Sequence, residues 1–101
     1  MIRIRIPKSV VQVSDDLRAH VESRLGLALA RFADRIARVS VRFSHADGDA
    51  SGAHTRCQIE VDLRPRCVDA QDTDADLFAA VNHATDRATR SVARALELES
   101  T

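Results

Sequence analysis

The chain has 101 residues, 45% of them hydrophobic, and its 15 basic and 15 acidic side chains give a formal net charge of +0 at pH 7. This length accommodates one domain with a single modest core, and no apolar run approaches the length of a membrane span. The cysteines, Cys57 and Cys67, form no CxxC pair and are too few for a disulfide scaffold. We therefore expect reduced thiols in a soluble, cytoplasmic protein.

Acidic and basic residues are unevenly distributed along the chain. Residues 1–45 carry nine Arg or Lys against four Asp or Glu, whereas residues 46–76 carry three against eight. The last segment, 77–101, carries three of each. We therefore predict a polarised domain, with opposite charges on opposite sides and a cationic flank that can contact a polyanion.

The first elements are a strand and a helix. The opening MIRIRI alternates isoleucine with arginine, which predicts a half-buried strand that ends or bends at Pro7. Ser14 is a candidate N-cap, and apolar residues recur at helical spacing from Asp15 to about Phe32. Gly26 lies inside this helix at a cost of roughly 1 kcal/mol relative to alanine, so we expect a local packing reason for it.

Three more alternating segments predict strands, and a helical pattern closes the chain. The strands are RIARVSVRF, HTRCQIEVDLR, which ends at Pro65, and the short CVDAQD, and the closing helix begins at about Asp74. The Asp-, Gly- and Ser-rich SHADGDASGAH predicts a loop. The order β-α-β-β-β-α, with one face of the sheet exposed to solvent, predicts an α+β two-layer sandwich. Its four-stranded sheet carries both helices on one face, and strands 2 to 4 form an antiparallel meander.

The closing helix carries a basic edge beside its apolar stripe. An α-helix turns about 100° per residue, and at this spacing the basic side chains fall on one side of the helix, about a quarter turn from its apolar stripe. The first helix repeats the arrangement, and the two edges together form a candidate cationic ridge for a phosphate backbone. The alternative is an ordinary solvated face on each helix, which patterning alone favours. The edge residues are His83, Arg87, Arg90 and Arg94 in the closing helix and His20, Arg24 and Arg31 in the first, with Arg35 just beyond it.

No catalytic or metal-binding pattern stands out. The serines, cysteines and histidines form no nucleophile motif, and there is no glycine-rich phosphate loop. The loop residues His45, Asp47, Asp49 and His54 are a conceivable metal set, but no helical ligand pair supports them and the loop lacks the glutamate of a calcium site. The acidic run at 69–76 is more simply a solvated turn with favourable charge at a helix N-terminus. We predict a non-enzymatic protein with no metal, no cofactor and no small-molecule substrate.

Three segments taken together resemble one known family. They are VSDDLRAHVESRL after the opening strand, FADRIARVSVRF before the second, and DTDADLFAAVNHATDRATRSVARAL at the end. From Ile2 to about Leu96 their order and spacing resemble the ribosome hibernation-promoting factors of the ribosome-associated inhibitor and sigma-54 modulation protein family. The resemblance implies a fold similar in layout to double-stranded RNA-binding domains. Because the sequence stops at Thr101, it resembles the short forms, a single domain over residues 1–101 with no C-terminal dimerisation domain.

The resemblance also implies a function. Family members bind the small ribosomal subunit in its decoding channel, which blocks translation and preserves idle ribosomes under stress or in stationary phase. We therefore expect the small subunit and its ribosomal RNA as partners, no membrane contact and a monomer, with the oligomeric state left open. The family's basic helix positions contact RNA. The matching positions here are Arg24, Arg31, Arg87, Arg90 and Arg94, with Lys8, Arg18 and Arg35 as further candidates.

A second function stays open. Family members are typically lysine-rich and basic, whereas this chain is neutral and ends in the acidic LELEST. These departures motivate a runner-up hypothesis, a protein-interaction regulator that keeps the fold but does not bind ribosomes. There are no Trp or Tyr residues for base stacking, so any RNA recognition should be by backbone and shape.

Overall fold

The computed structural model describes residues 2–46 and 54–99 and has the predicted order of elements. The sheet order is β1-β2-β3-β4, with β1 parallel to β2 and the other neighbours antiparallel. The predicted α+β sandwich and its antiparallel meander are therefore confirmed. The elements are β1 (Ile4–Arg5), α1 (Asp15–Ala28), a short 3₁₀ helix (Ala30–Arg35), β2 (Arg38–His45), β3 (Thr55–Asp62), β4 (Cys67–Asp74) and α2 (Leu77–Glu99).

One face of the sheet is buried beneath both helices. The side chains predicted to point inward from the third strand are no more than 2% exposed. Small side chains on α2 let it lie close to β3 and β4, while α1 adds larger aliphatic ones. Burying each large aliphatic side chain contributes about 1.5–3 kcal/mol, so this face supplies most of the folding free energy. The core includes Leu17, Val21, Leu25, Val39, Val41, Phe43, Cys57, Ile59, Val61, Leu63, Ala80, Val81, Ala84, Ala88 and Val92.

Side-chain caps determine where both helices begin. As predicted, Ser14 caps α1, and its Oγ accepts a hydrogen bond from the Leu17 N–H at 3.1 Å. The start of α2 at about Asp74 is wrong by a few residues, because β4 stays paired with β3 as far as Asp74. Asp76 then caps the helix, since its Oδ1 accepts from the Phe78 N–H at 2.9 Å.

Two other boundaries differ from the sequence prediction. Helix α1 ends at Ala28, and the chain tightens into the 3₁₀ helix, in which the Phe32 N–H donates to the Leu29 carbonyl at 2.9 Å. Strand β1 is limited to Ile4–Arg5, because Pro7 has no N–H to extend the ladder. Most of the predicted loop between β2 and β3 falls on residues 47–53, which lie outside the described residues.

The expected packing reason for Gly26 is wrong. A Cβ built at this position would meet no heavy atom within 4 Å. Gly26 instead lines an open groove between α1 and β1, together with Ile2, Ile4 and Glu22. Packing therefore does not require glycine here, and glycine costs α1 about 1 kcal/mol relative to alanine.

Helices α1 and α2 lie side by side and run in the same direction. Near their N-termini, His20 Nε2 lies 2.7 Å from Asn82 Oδ1, and the His20 ring meets the Phe78 ring edge-on with centroids 4.9 Å apart. Near their C-terminal ends, the Arg35 guanidinium pairs with the Glu99 carboxylate. Neither helix in the described part of the chain is long and apolar enough to cross a membrane.

Candidate nucleic-acid interface

All eight predicted RNA-contact residues are exposed, but the structure separates them. Arg87, Arg90 and Arg94 line a groove beside β4, on the side of α2 that faces away from α1. Lys8 and Arg18 line a different groove near the N-terminus of α1. The remaining three lie on α1 and the 3₁₀ helix. The two helices therefore do not present one shared ridge of arginines.

The groove beside β4, here called the α2 groove, brings together the largest predicted cluster. It is an open groove of about 380 Å³ between α2 and the edge strand β4. Helical spacings of three and four residues place its arginines on one side of the helix, over about 10 Å of its axis. The lining residues are Asp69, Ala70, Gln71, Arg87, Arg90, Ser91 and Arg94.

Acidic residues of β4 lie close to the α2 groove, so the predicted sorting of charges to opposite sides is wrong. Asp69 itself lines the groove, although it belongs to the open face of the sheet, because its neighbours Val68 and Ala70 face the core. On the open face of the sheet, Asp69 Oδ1 accepts a hydrogen bond from Gln58 Nε2 at 3.0 Å.

The arginines of the α2 groove are not paired with carboxylates. Within residues 2–46 and 54–99, no carboxylate oxygen lies within 4.0 Å of a guanidinium nitrogen of Arg87, Arg90 or Arg94. The nearby Asp72 carboxylate instead contacts His83, with Oδ2 lying 3.3 Å from Nδ1. The three guanidinium groups therefore remain free to bind an external anion.

The predicted residues on the α1 side are less available. The Arg31 guanidinium lies over the Phe32 ring, 4.5 Å from its centroid, and Arg35 pairs with Glu99. Arg24 is exposed on α1 but lies outside both grooves. These side chains do not form a groove that would hold a phosphate backbone in one orientation.

A further basic cluster lies on the open face of the sheet. Arg5, Arg38 and Arg42 line a groove of about 340 Å³ together with Ser40, Glu60 and other residues. The sequence assigns each of these arginines to an outward strand face, but it does not place them together. Their proximity depends on β1 pairing with β2, a contact that the intervening helix makes long-range and that no local pattern reveals.

No site for metal or nucleophilic chemistry accompanies these clusters in the described residues. No group of three His, Cys, Asp or Glu side chains there could hold a metal ion, and Asp47 and Asp49 lie outside them. Cys57 is a core residue as predicted, and burial, with a smaller contribution from Asp72, raises the pKa of its thiol to about 12. It is therefore protonated and unreactive at neutral pH.

Comparisons with known proteins place this arrangement in one family. Residues 4–97 match the family described as "Sigma 54 modulation protein / S30EA ribosomal protein". The N-terminal domain of Protein Y from Thermus thermophilus is 31% identical with a TM-score of 0.69, and the match covers 92% of this chain and 96% of that one. No sequence among the curated proteins matches this chain significantly.

A second solved structure shares the fold at lower identity. A ribosomal subunit interface protein from Coxiella burnetii is 17% identical with a TM-score of 0.74, and the match covers 95% of this chain and 97% of that one. The family predicted from the sequence is thus confirmed. Because the match spans residues 4–97, this chain belongs to the sigma 54 modulation protein / S30EA ribosomal protein family, whose members are ribosome-associated.

Proposed function

We propose that this domain binds RNA of the small ribosomal subunit through the α2 groove and occupies the decoding channel. Binding there inhibits translation and preserves idle ribosomes under stress or in stationary phase. The observation that carries the proposal is the row formed by Arg87, Arg90 and Arg94, unpaired among the described residues and aligned on one helix side. Family membership supports the ribosome as the partner, and the ribosome in turn implies a cytoplasmic location.

Arginine chemistry suits this role. A guanidinium group binds a phosphate with two parallel hydrogen bonds, and three such groups along a helix can follow a phosphate backbone. Ser91 and Gln71 add uncharged polar groups to the same groove. Contacts of this kind recognise the shape and charge of RNA rather than its sequence, and they require no catalytic step.

The zero net charge is compatible with RNA binding because the relevant field is local. At physiological ionic strength the screening length is about 8 Å, so a phosphate in the α2 groove responds mainly to charges close to it. Acidic residues far from the groove contribute little at that distance, whereas Glu97 stands three residues after Arg94 on α2 and opposes the arginines locally. The arginine cluster therefore matters more than the total charge.

Charge reversal in the α2 groove tests the proposal. The double variant Arg87→Glu with Arg90→Glu should no longer co-sediment with purified small subunits, because both substitutions add repulsion to the loss of phosphate contacts. The matched control is Arg64→Glu with Arg66→Glu, which changes the net charge equally at exposed positions in the β3–β4 turn. Circular dichroism confirms that both variants fold. If the groove variant sediments like the control, the α2 groove is not the RNA contact.

Competition tests the location in the decoding channel. Small subunits filled beforehand with messenger RNA and transfer RNA should retain much less of the wild-type protein than empty subunits do. Equal retention by both preparations would place the binding site elsewhere on the subunit. Recovery of a protein partner without ribosomal RNA, in a pull-down from a stationary-phase lysate, would favour a protein-interaction regulator instead.

A further inference from the structure

A second cationic surface runs along the β1 edge of the domain. Arg5, Arg38 and Arg42 line the groove on the open sheet face, and Lys8 and Arg18 line the groove beside the N-terminus of α1. Pro7 lines both grooves, so the two adjoin. All five cationic side chains are exposed. This surface is named the β1 band and consists of Arg5, Lys8, Arg18, Arg38 and Arg42.

The pairing of β1 with β2 explains why the arginines of the β1 band lie together. Arg5 is the register partner of Ser40. Arg38 and Arg42 stand two residues before and after Ser40, so strand alternation puts them on the same face as Arg5. In the described residues, none of these three arginines has a carboxylate oxygen within 4.0 Å.

On the open sheet face, carboxylates border the β1 band on its β3 side. Glu60 and Asp62 line the same groove, and Asp62 is the register partner of Arg38. Glu60 stands opposite Asp69 on β4, so the β3–β4 half of the open face is acidic. A polyanion on this face would be repelled from that half and confined to the edge formed by β1 and β2.

The β1 band and the α2 groove lie at opposite edges of the sheet. The strand order β1-β2-β3-β4 separates the outer strands by three inter-strand spacings, about 14 Å, and the α2 groove lies beside β4 at the far edge. The acidic half of the open face lies between them. A phosphate backbone running straight from one surface to the other would have to cross this acidic half, which repels it.

We propose that the β1 band binds a second RNA segment, so that the domain bridges two phosphate backbones of the small subunit. This inference rests on the proposed function and extends it to a surface that the α2 arginines do not reach. Bridging adds five phosphate contacts to the three in the α2 groove. The slope of log K against log salt concentration should then be about −6, compared with about −2 to −3 for the α2 groove alone.

Cross-linking from defined positions tests the inference. The photoreactive residue p-benzoylphenylalanine replaces Arg42 in the β1 band, Arg90 in the α2 groove, or Leu27, which is 78% exposed on α1 and lies in neither groove. Each variant is bound to purified small subunits and irradiated, and the cross-linked nucleotides are located by reverse transcription. We expect cross-links from positions 42 and 90 to two separate RNA segments, and none from position 27.

The possible outcomes separate the two proposals. Cross-links from position 90 alone, or from both positions to the same short segment, would overturn bridging and leave the α2 groove as the RNA contact. Absence of cross-links from both positions would contradict the proposed function as well. A charge variant gives an independent readout: Arg38→Gln with Arg42→Gln should make the salt slope shallower by about 1.5 to 2, whereas an unchanged slope would exclude the β1 band.

Discussion

Asp72 on β4 contacts His83 on α2 across the end of the α2 groove, with Oδ2 lying 3.3 Å from Nδ1. Both residues line a smaller recess that also contains Asp86, Arg87 and Arg90. Asp69 lines the α2 groove itself, and Asp72 and Asp86 lie beside it in this recess. Their negative charge opposes RNA binding without forming an ion pair with the arginines.

Neutralising Asp72 should strengthen binding to the small subunit. The variant Asp72→Asn removes one negative charge at a distance on the order of 8 Å from the groove, which in water corresponds to about 0.5 kcal/mol, or about a twofold gain in affinity. Quantitative co-sedimentation at fixed salt measures the change. The matched control Asp34→Asn removes the same charge from the exposed 3₁₀ helix. Equal gains from both variants would show that net charge, rather than the local field, determines affinity.

The fold was largely predictable because its strands and helices have strong local periodicity. Strict alternation identifies β3, and every residue that it assigns to the inward face is buried. Boundaries were less predictable because they depend on competition between neighbours. The sequence pattern puts the start of α2 at about Asp74, but the pairing of Asp74 with Thr55 keeps that residue in β4 and moves the start to Leu77. That pairing is a tertiary contact, which the local sequence does not contain.

The candidate site was predictable only where it lies on one element. Helical spacing alone groups Arg87, Arg90 and Arg94, and the structure places them in one groove. Charge sorting by chain segment failed because α2 packs against β4, which places Asp69 and Asp72 beside the arginines of α2. The β1 band also escaped prediction, since it requires two strands separated by α1 to pair in a particular register.

Replacing Gly26 should stabilise the domain. Gly26→Ala adds a methyl group that meets no heavy atom within 4 Å and removes the backbone entropy cost of glycine in a helix. We expect the free energy of unfolding to rise by about 1 kcal/mol, measured by urea denaturation. The reciprocal control, Ala19→Gly at an exposed position in the same helix, should lower it by a similar amount. A destabilised Gly26→Ala variant would show that the groove beside α1 is filled.

The buried hydroxyl of Thr85 should also limit stability. Thr85 is 1% exposed, and its Oγ1 has no hydrogen-bond partner among the described residues. Thr85→Val keeps the branched shape and removes the unsatisfied group, so we expect a gain of about 1 kcal/mol in the free energy of unfolding. Thr89→Val is the control, because the Thr89 Oγ1 donates to the Thr85 carbonyl at 2.8 Å and its removal offers no such gain. Equal effects of the two variants on the urea midpoint would refute this explanation.

The buried thiol of Cys57 should make the protein sensitive to alkali. Burial, and to a lesser extent Asp72, raises its pKa from 9.0 to about 12 in the folded state. Above pH 9 the unfolded chain therefore loses a proton that the folded chain retains, which favours unfolding. The stabilising contribution is complete below pH 9 and is lost as the pH rises towards 12, at up to about 1.4 kcal/mol per pH unit.

Urea denaturation at pH 8, 9, 10 and 11 measures this loss of stability. Few other side chains titrate in this range, because the sequence has no tyrosine and Lys8 is its single lysine. Cys57→Ala lowers the free energy of unfolding at every pH because it leaves a small cavity. It should, however, reduce the further fall of that free energy above pH 9. Cys67→Ser removes the exposed thiol and should keep the wild-type slope. A slope that persists in Cys57→Ala would mean that another group titrates on unfolding, and that Cys57 does not control stability in alkali.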